Sequence, residues 1–404
     1  MPFASDNILS VPGVEAGTAR SQIKDVDQED LLVVALEKGT KVVGVFTQNH
    51  FRAAPVEIAE RHLHLDKGIR ALIINSGNAN AATGEDGELD ALKLCNSLSE
   101  QLEIELGQVL PFSTGVIGER LPVDKMLLGI EEAVLNIRPE NWEAAASAIL
   151  TTDTVPKICS QIAKVDDTEI HITGIAKGSG MIKPNMATML AFIFCDVKID
   201  SQLLKGLIKD VVEESFNRIT VDGDTSTNDA FLICATGAAN NKIIADVESG
   251  NYLELREGIS NVAQELSKMI VKDGEGASRF VKISVHGGLS SSECLSVAYS
   301  VAESPLVKTA MFAGDPNWGR FCMAIGNANV PELDTNKISL YLDEVCVARK
   351  GQKLDSYKET EGSKIMRKKE YEILIELGRG RFQESVYSTD LSHGYITINS
   401  EYRS

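Results

Sequence analysis

Six consecutive apolar residues, Leu190–Cys195 (LAFIFC), constrain this chain more than any other segment. An unbroken apolar run bounded by turn signals reads as a strand buried on both faces. The fold must therefore supply cover on two sides of it. The run is entered through Lys177–Met189, KGSGMIKPNMATM. Gly178, Ser179 and Gly180 form a loop in which glycine allows backbone shapes closed to other residues. Pro184 cannot sit inside a central strand and biases Lys183 towards an extended shape. A small residue followed by threonine, where a constrained loop enters a buried strand, is a place where a chain can cut itself. Thr188 would then become a new N-terminus, with a hydroxyl nucleophile and its own α-amine as base. Taken alone, Thr188 is more simply a β-branched residue opening a strand, and both readings stand at this point.

Composition narrows the partners. The chain has 404 residues, 43% hydrophobic and 24% charged, an ordinary globular balance with enough length for two or three domains. Its net charge of −18 argues against nucleic acid and anionic membrane, because phosphate binding needs a basic face. No apolar run approaches the ~20 residues of a membrane helix. The opening Met1–Asp6 has neither a basic leader nor an arginine-rich pattern, so a cytoplasmic location is expected. The seven cysteines are scattered and form no CxxC pair, which predicts reduced thiols and no structural zinc. His62 and His64 are spaced to fall on different helix faces, so no metal pair is expected there.

Along the chain, 30–36 and 41–46 read as a β-hairpin about Glu37–Thr40, and 158–164 with 168–174 as a second hairpin. Helices are expected at 56–65, 88–102, 122–134, 142–150, 200–216, 252–271 and 290–303. Short strands are expected at 72–74, 109–111, 231–235, 281–285, 307–312, 338–342, 345–349, 371–377, 383–388 and 394–398. Lys350–Lys369 reads as a solvated loop. Hairpins mixed with long amphipathic helices, without a regular βαβ repeat, give an α+β class.

Several loops carry residues suited to chemistry. Asn75–Asn80 is dense in small polar side chains that can present backbone donors to a ligand. Thr114-Gly115 could offer a hydroxyl and an N–H to a developing oxyanion, each such donor being worth ~3 kcal/mol in acyl transfer. Lys272–Ala277 (KDGEGA) places two acids and a lysine among glycines, either as a charged helix C-cap or as a carboxylate that meets a substrate amine. Asp222–Asp229 lacks the twelfth-position glutamate of a calcium loop and reads as a structured polar loop. Gly174–Gly180 lacks P-loop spacing, and Gly287–Ser292 reads as a turn plus helix cap. Gly314–Arg320 is a tight turn that caps a helix.

Taken together these segments closely resemble the ornithine acetyltransferase / glutamate N-acetyltransferase family of arginine biosynthesis. The resemblance rests on Asn75–Gly84 (NSGNANAATG), Ser113–Val116, Thr151–Thr154, Lys177–Phe192, Lys272–Ala277, Asp315–Arg320 (DPNWGR) and Ile398-Asn399 with Tyr402-Arg403-Ser404. It covers essentially the whole chain.

The resemblance implies a layered αββα sandwich with a largely β C-terminal portion. It also implies a precursor that cuts itself between Ala187 and Thr188, leaving an alpha chain 1–187 and a beta chain 188–404 that stay together as α2β2. Thr188 takes acetyl from N-acetylornithine and passes it to glutamate. Thr114 and Gly115 form the oxyanion hole. Thr154, Lys177, Thr188, Glu275, Asn399 and Ser404 contact substrate. Serine at the last position keeps the hydroxyl of the threonine common in the family. No metal or other cofactor is implied, although some members also accept acetyl-CoA as donor. The rival reading is an amidase or aminopeptidase of the same self-cutting chemistry, with water as acceptor.

Overall fold

The strand predicted at Leu190–Cys195 lies at the centre of the first of two compact units. The structure, a computed structural model, describes residues 8–24, 27–183 and 189–401. Among the described residues, one unit comprises those up to Asn217 with Asp224–Ile270, the other Arg218–Gly223 with those from Val271 on. The turn at Pro184, the Ala187–Thr188 junction, Ser404 and the opening Met1–Asp6 lie outside the described residues.

In the first unit, in chain order, the elements are β1 (Val14–Ala19), β2 (Leu31–Leu36), β3 (Lys41–Phe46), α1 (Ala54–His64), β4 (Ala71–Asn78), α2 (Gly84–Gln101), β5 (Val109–Val116), α3 (Val123–Leu135) and α4 (Trp142–Ala148). They continue with β6 (Lys157–Val165), β7 (Thr168–Lys177), β8 (Leu190–Cys195), α5 (Ser201–Glu214), β9 (Ala230–Ala235) and α6 (Gly250–Lys272). Two sheets result, ordered β1-β2-β4-β5 and β3-β9-β8-β7-β6.

The sheets pack face to face because their strands are apolar on both sides. Leu190, Phe192 and Phe194 of β8 join Leu72, Ile74, Leu110 and Phe112 in one core. The Phe112 and Phe192 rings meet edge to face at 5.1 Å, and Trp142 and Phe194 at 5.3 Å. Each fully buried ring of this kind contributes about 1.5–3 kcal/mol through apolar area removed from water. The outer face of the first sheet is covered by α2 and α3, whose Leu94, Leu98, Met126 and Ile130 pack on Leu31, Val33 and Ile73. On the second sheet, α6 lies so close to β7 that a methyl group at Gly174 would reach Val262 and Leu266. Asp200 caps α5, its carboxylate accepting the Gln202 and Leu203 N–H groups. The αββα layering implied by the resemblance is present.

The second unit holds β10 (Phe280–Gly288), α7 (Ser291–Ala302), α8 (Pro305–Ala313), α9 (Trp318–Gly326), β11 (Ser339–Leu342), β12 (Val345–Arg349), β13 (Gln352–Lys353), α10 (Glu359–Met366), β14 (Glu370–Glu376), β15 (Phe382–Thr389) and α11 (His393–Glu401). Its sheet runs β13-β12-β11-β14-β10-β15, with α7 and α9 packed on a core of Val281, Ile283, Ile373, Ile375 and Phe321.

Several expectations are corrected. The first hairpin does not form: β2 pairs with β1 and β4, whereas β3 pairs with β9 in the other sheet. Glu37–Thr40 is thus a crossing between layers, which two apolar strands and a turn cannot distinguish from a hairpin locally. The second hairpin forms as expected, β6 against β7. The strand expected at 307–312 is helix α8, because Ser304 caps it, Pro305 opens it and Gly314 closes it in the left-handed region (φ 66). The strand expected at 394–398 is helix α11, where the Ser392 hydroxyl accepts the Tyr395 N–H. Lys350–Lys369 is no open loop: it forms β13 and α10, and α10 buries Ile365 and Met366. β1 has no counterpart among the expected strands.

Candidate active site

Two loops expected to follow short strands are the strand ends themselves. β4 runs through Asn75–Asn78 and β5 through Ser113–Val116, side by side and parallel, with Ser76 opposite Thr114 and Gly77 opposite Gly115. The register slips at Gly77–Asn78. Gly115 has φ 133, and a Cβ there would lie 2.2 Å from the Gly77 carbonyl carbon. Only glycine fits, so the backbone at Thr114-Gly115 is held in a shape that side chains would forbid. Polar cross-links fix it further. The Ser113 hydroxyl donates to Asn75 Oδ1 at 2.6 Å, and the Asn228 amide donates to the carbonyls of Ala79 and Ser113 at 2.6 and 2.8 Å.

Lys177 ends β7 and pairs with Leu190, the first residue of β8. Its side chain is buried, and Nζ donates to Thr114 Oγ1 at 3.1 Å. The candidate oxyanion threonine and the candidate substrate lysine, 63 residues apart in sequence, are therefore bonded at the strand end that Thr188 precedes by two residues.

A buried ion needs a partner. Asp153, whose side chain is fully buried, supplies it, with Oδ2 4.0 Å from Lys177 Nζ and Oδ1 2.6 Å from Lys157 Nζ. It also accepts the Gly178 N–H at 2.7 Å and the Thr151 N–H at 3.0 Å. Burial would raise its pKa, but Lys177, Lys157 and these donors outweigh burial and hold it below the usual carboxylate range. Asp229, just before β9, shows the opposite balance. Burial pushes its pKa well above the ordinary value, despite a Ser226 hydrogen bond and the charge of Lys177. Its Oδ2 has no hydrogen-bond partner among the described residues. Lys24 donates to the Leu150 carbonyl at 2.6 Å, and burial lowers its pKa to about 8, with the charge of Lys177 acting in the same direction. Two fully or nearly buried lysines against one ionised carboxylate give a local positive field in an acidic chain. Such a field suits a carboxylate or a developing oxyanion.

The second unit groups two of the remaining candidates. Glu275 is buried in the loop between α6 and β10, and Asn399 on α11 donates its amide to Glu275 Oε2 at 2.7 Å. Thr154 is exposed beside Asp153. Thr188 and Ser404 lie outside the described residues. Asp153, Asp229 and Lys24 were not singled out in the sequence. Asp153 stands inside the Thr151–Thr154 motif, but no local signal marks a lone aspartate as the anion of a buried cluster. Among the described residues no group of three or more His, Cys, Asp or Glu side chains could hold a metal ion. Nor is any helix among them long and apolar enough to cross a membrane.

The layered αββα unit brings Thr114, Lys177 and the Asp153 carboxylate together beside β8, an arrangement that fits an acyl-transferring enzyme. The model of the ArgJ family matches residues 15–404. An arginine biosynthesis bifunctional protein ArgJ of Pseudomonas fluorescens is 47% identical over 393 residues, 97% of this chain and 96% of its own. That of Colwellia psychrerythraea is 46% identical over 412 residues, 98% of this chain and 97% of its own. The crystal structure of the Bacillus halodurans protein of the same name is similar at 31% identity and a TM-score of 0.50; it covers 52% of this chain and 98% of that chain. The chain belongs to the ArgJ family, in agreement with the resemblance carried by its motifs. The amidase reading is not favoured by that membership.

Proposed function

We propose that this enzyme moves an acetyl group from N-acetylornithine to glutamate through an acetyl ester on Thr188, in arginine biosynthesis. The observation that carries the reading is the 3.1 Å bond between Lys177 and Thr114 at the start of β8. Thr188 Oγ1 attacks the acetyl carbonyl, the C–N bond breaks, and the hydroxyl proton ends on the departing amine of ornithine. The α-amine of glutamate then attacks the ester, the C–O bond breaks, and Oγ1 regains a proton. A terminal α-amine at Thr188, with a reference pKa of about 7.7–8.0, is the base in both halves. Thr114 Oγ1 and the Gly115 N–H stabilise the oxyanion of each tetrahedral intermediate. Lys177 receives a substrate carboxylate, with Asn399 and Ser404 as further hydrogen-bonding groups, Thr154 as a contact, and Glu275 meeting the cationic end of ornithine. Exchange between two amines is nearly isoenergetic, so the reaction proceeds without a nucleotide or redox cofactor.

Self-cleavage before Thr188 uses the same groups, with the Ala187 carbonyl in place of the acetyl. The two fragments remain together as α2β2 in the cytoplasm.

Thr188→Ala tests the assignment. It is expected to leave an intact 43.7 kDa chain without transferase activity. Two bands from that variant on a denaturing gel would refute the cut. Initial rates with both substrates varied should give the parallel reciprocal plots of ping-pong exchange. Formation of N-acetylglutamate from glutamate and acetyl-CoA, with N-acetylornithine omitted, decides whether acetyl-CoA is also a donor.

A further inference from the structure

Helix α8, expected as a strand, buries Val307, Lys308, Ala310 and Met311 on its inner stripe. A lysine among three apolar side chains is costly to desolvate, and the charges of three acidic groups offset part of that cost. They are Asp390 beyond β15, Asp222 in the 218–223 segment and Glu303 at the end of α7. Lys308 Nζ donates to the Thr389 carbonyl and to Ser388 Oγ (3.3 Å), while its own carbonyl accepts the Leu391 N–H at 3.2 Å. The lysine thereby brackets residues 388–391.

That segment in turn shapes the loop that carries Glu275. Asp390 Oδ1 accepts the Ser278 and Arg279 N–H groups at 2.8 and 2.9 Å, and Oδ2 accepts the Ser278 hydroxyl at 2.6 Å. Ser392 Oγ donates to the Gly276 carbonyl at 2.6 Å and accepts the Tyr395 N–H, so one side chain ties the loop to the first turn of α11. The contact leaves no room for a side chain: a Cβ on Gly276 would lie 2.3 Å from Tyr395 N. Tyr395 also donates its hydroxyl to Asp222 at 3.3 Å, and its carbonyl accepts the Asn399 amide at 3.0 Å.

We propose that Lys308 is a positioning residue: through Thr389, Asp390 and Ser392 it fixes the Glu275 loop and α11 in the register that lets Asn399 meet Glu275. Lys308 touches no substrate itself, and its effect on turnover rests on the reading of Glu275 and Asn399 as substrate contacts. The burial that makes the lysine effective also lowers its pKa to about 8.

Amide hydrogen exchange on the full-length protein tests the positioning independently of activity. In Lys308→Met, peptides covering 275–279 and 393–401 are expected to exchange about tenfold faster than wild type, the effect of losing a buried hydrogen-bonded anchor. Lys308→Met can fail to fold, since it leaves the Thr389 carbonyl and Ser388 hydroxyl against an apolar side chain. Asp390→Ala, which removes the acceptor of all three bonds in the next link, is therefore measured beside it. The double variant should exchange no faster than the more affected single variant, because both act on one path. Unchanged exchange in these peptides in either folded single variant overturns the proposal.

Kinetics then address the reading on which it rests. The KM for N-acetylornithine should rise about tenfold, while acetylation by p-nitrophenyl acetate, which has no amino-acid part, stays at the wild-type rate. Faster exchange with an unchanged KM would uphold the positioning and refute Glu275 and Asn399 as substrate contacts.

Discussion

Asp153 and Asp229 lie in the same unit and respond to pH in opposite directions. Asp153 has its pKa depressed on folding, so its stabilising contribution is complete above the ordinary carboxylate pKa of about 3.9 and is lost as pH falls below it. Asp229 has its pKa raised, so keeping it buried costs progressively more as pH climbs above about 3.9 towards its folded value. Asp153→Asn should flatten the acid limb of a stability–pH curve and lower stability at pH 7 by ~3–5 kcal/mol, since two buried lysines lose their counter-ion. Asp229→Asn should remove the loss of stability on the neutral side. Thermal melts of both variants from pH 3 to 8 check the two signs, and parallel curves for the two variants would contradict the assignment. At Gly115 the prediction is steric. Gly115→Ala pushes a methyl to within 2.2 Å of the neighbouring strand's backbone, so purified protein should be unprocessed at residue 187 and inactive. Full processing would show that the Thr114-Gly115 geometry is not needed for the cut.

The central strands set the stability of the first unit. Phe192 is fully buried between two sheets, and Phe192→Ala should cost ~3–5 kcal/mol, read as a lower urea midpoint with little change in slope. Much of this level was legible in the sequence. LAFIFC announced a two-sided strand, and the long helices showed their apolar stripes. What sequence could not supply was partnership. Leu31–Leu36 and Lys41–Phe46 look like a hairpin because pairing is decided by layers contributed from residues 71–78 and 230–235. Helices α8 and α11 were hidden for another reason: β-branched and aromatic residues favour strands, and single capping residues overrode them. The site was legible as separate motifs, and Thr114 and Lys177 do meet. The groups around them, Asp153, Lys157 and Asp229, are lone residues whose burial is a property of the whole fold.

Each compact unit has its own apolar core, which for the whole molecule predicts two unfolding steps by calorimetry. A single transition fitting a two-state curve would argue against that independence. The sheet order β3-β9-β8-β7-β6 has a consequence for the proposed cut. If the backbone is severed after residue 187, β8 and β9 belong to one polypeptide, while β3 and the pair β7-β6 belong to the other. The newer polypeptide's two strands are then clasped on both edges by its sibling, like fingers between two hands. Scission at that point releases nothing. Each piece made by itself would present bare strand edges ready to seize any passing chain. Expressed separately, 1–187 and 188–404 should therefore precipitate and fail to reconstitute activity on mixing. If the chain is cut there, the intact precursor must finish folding first, and its halves share a common lifetime.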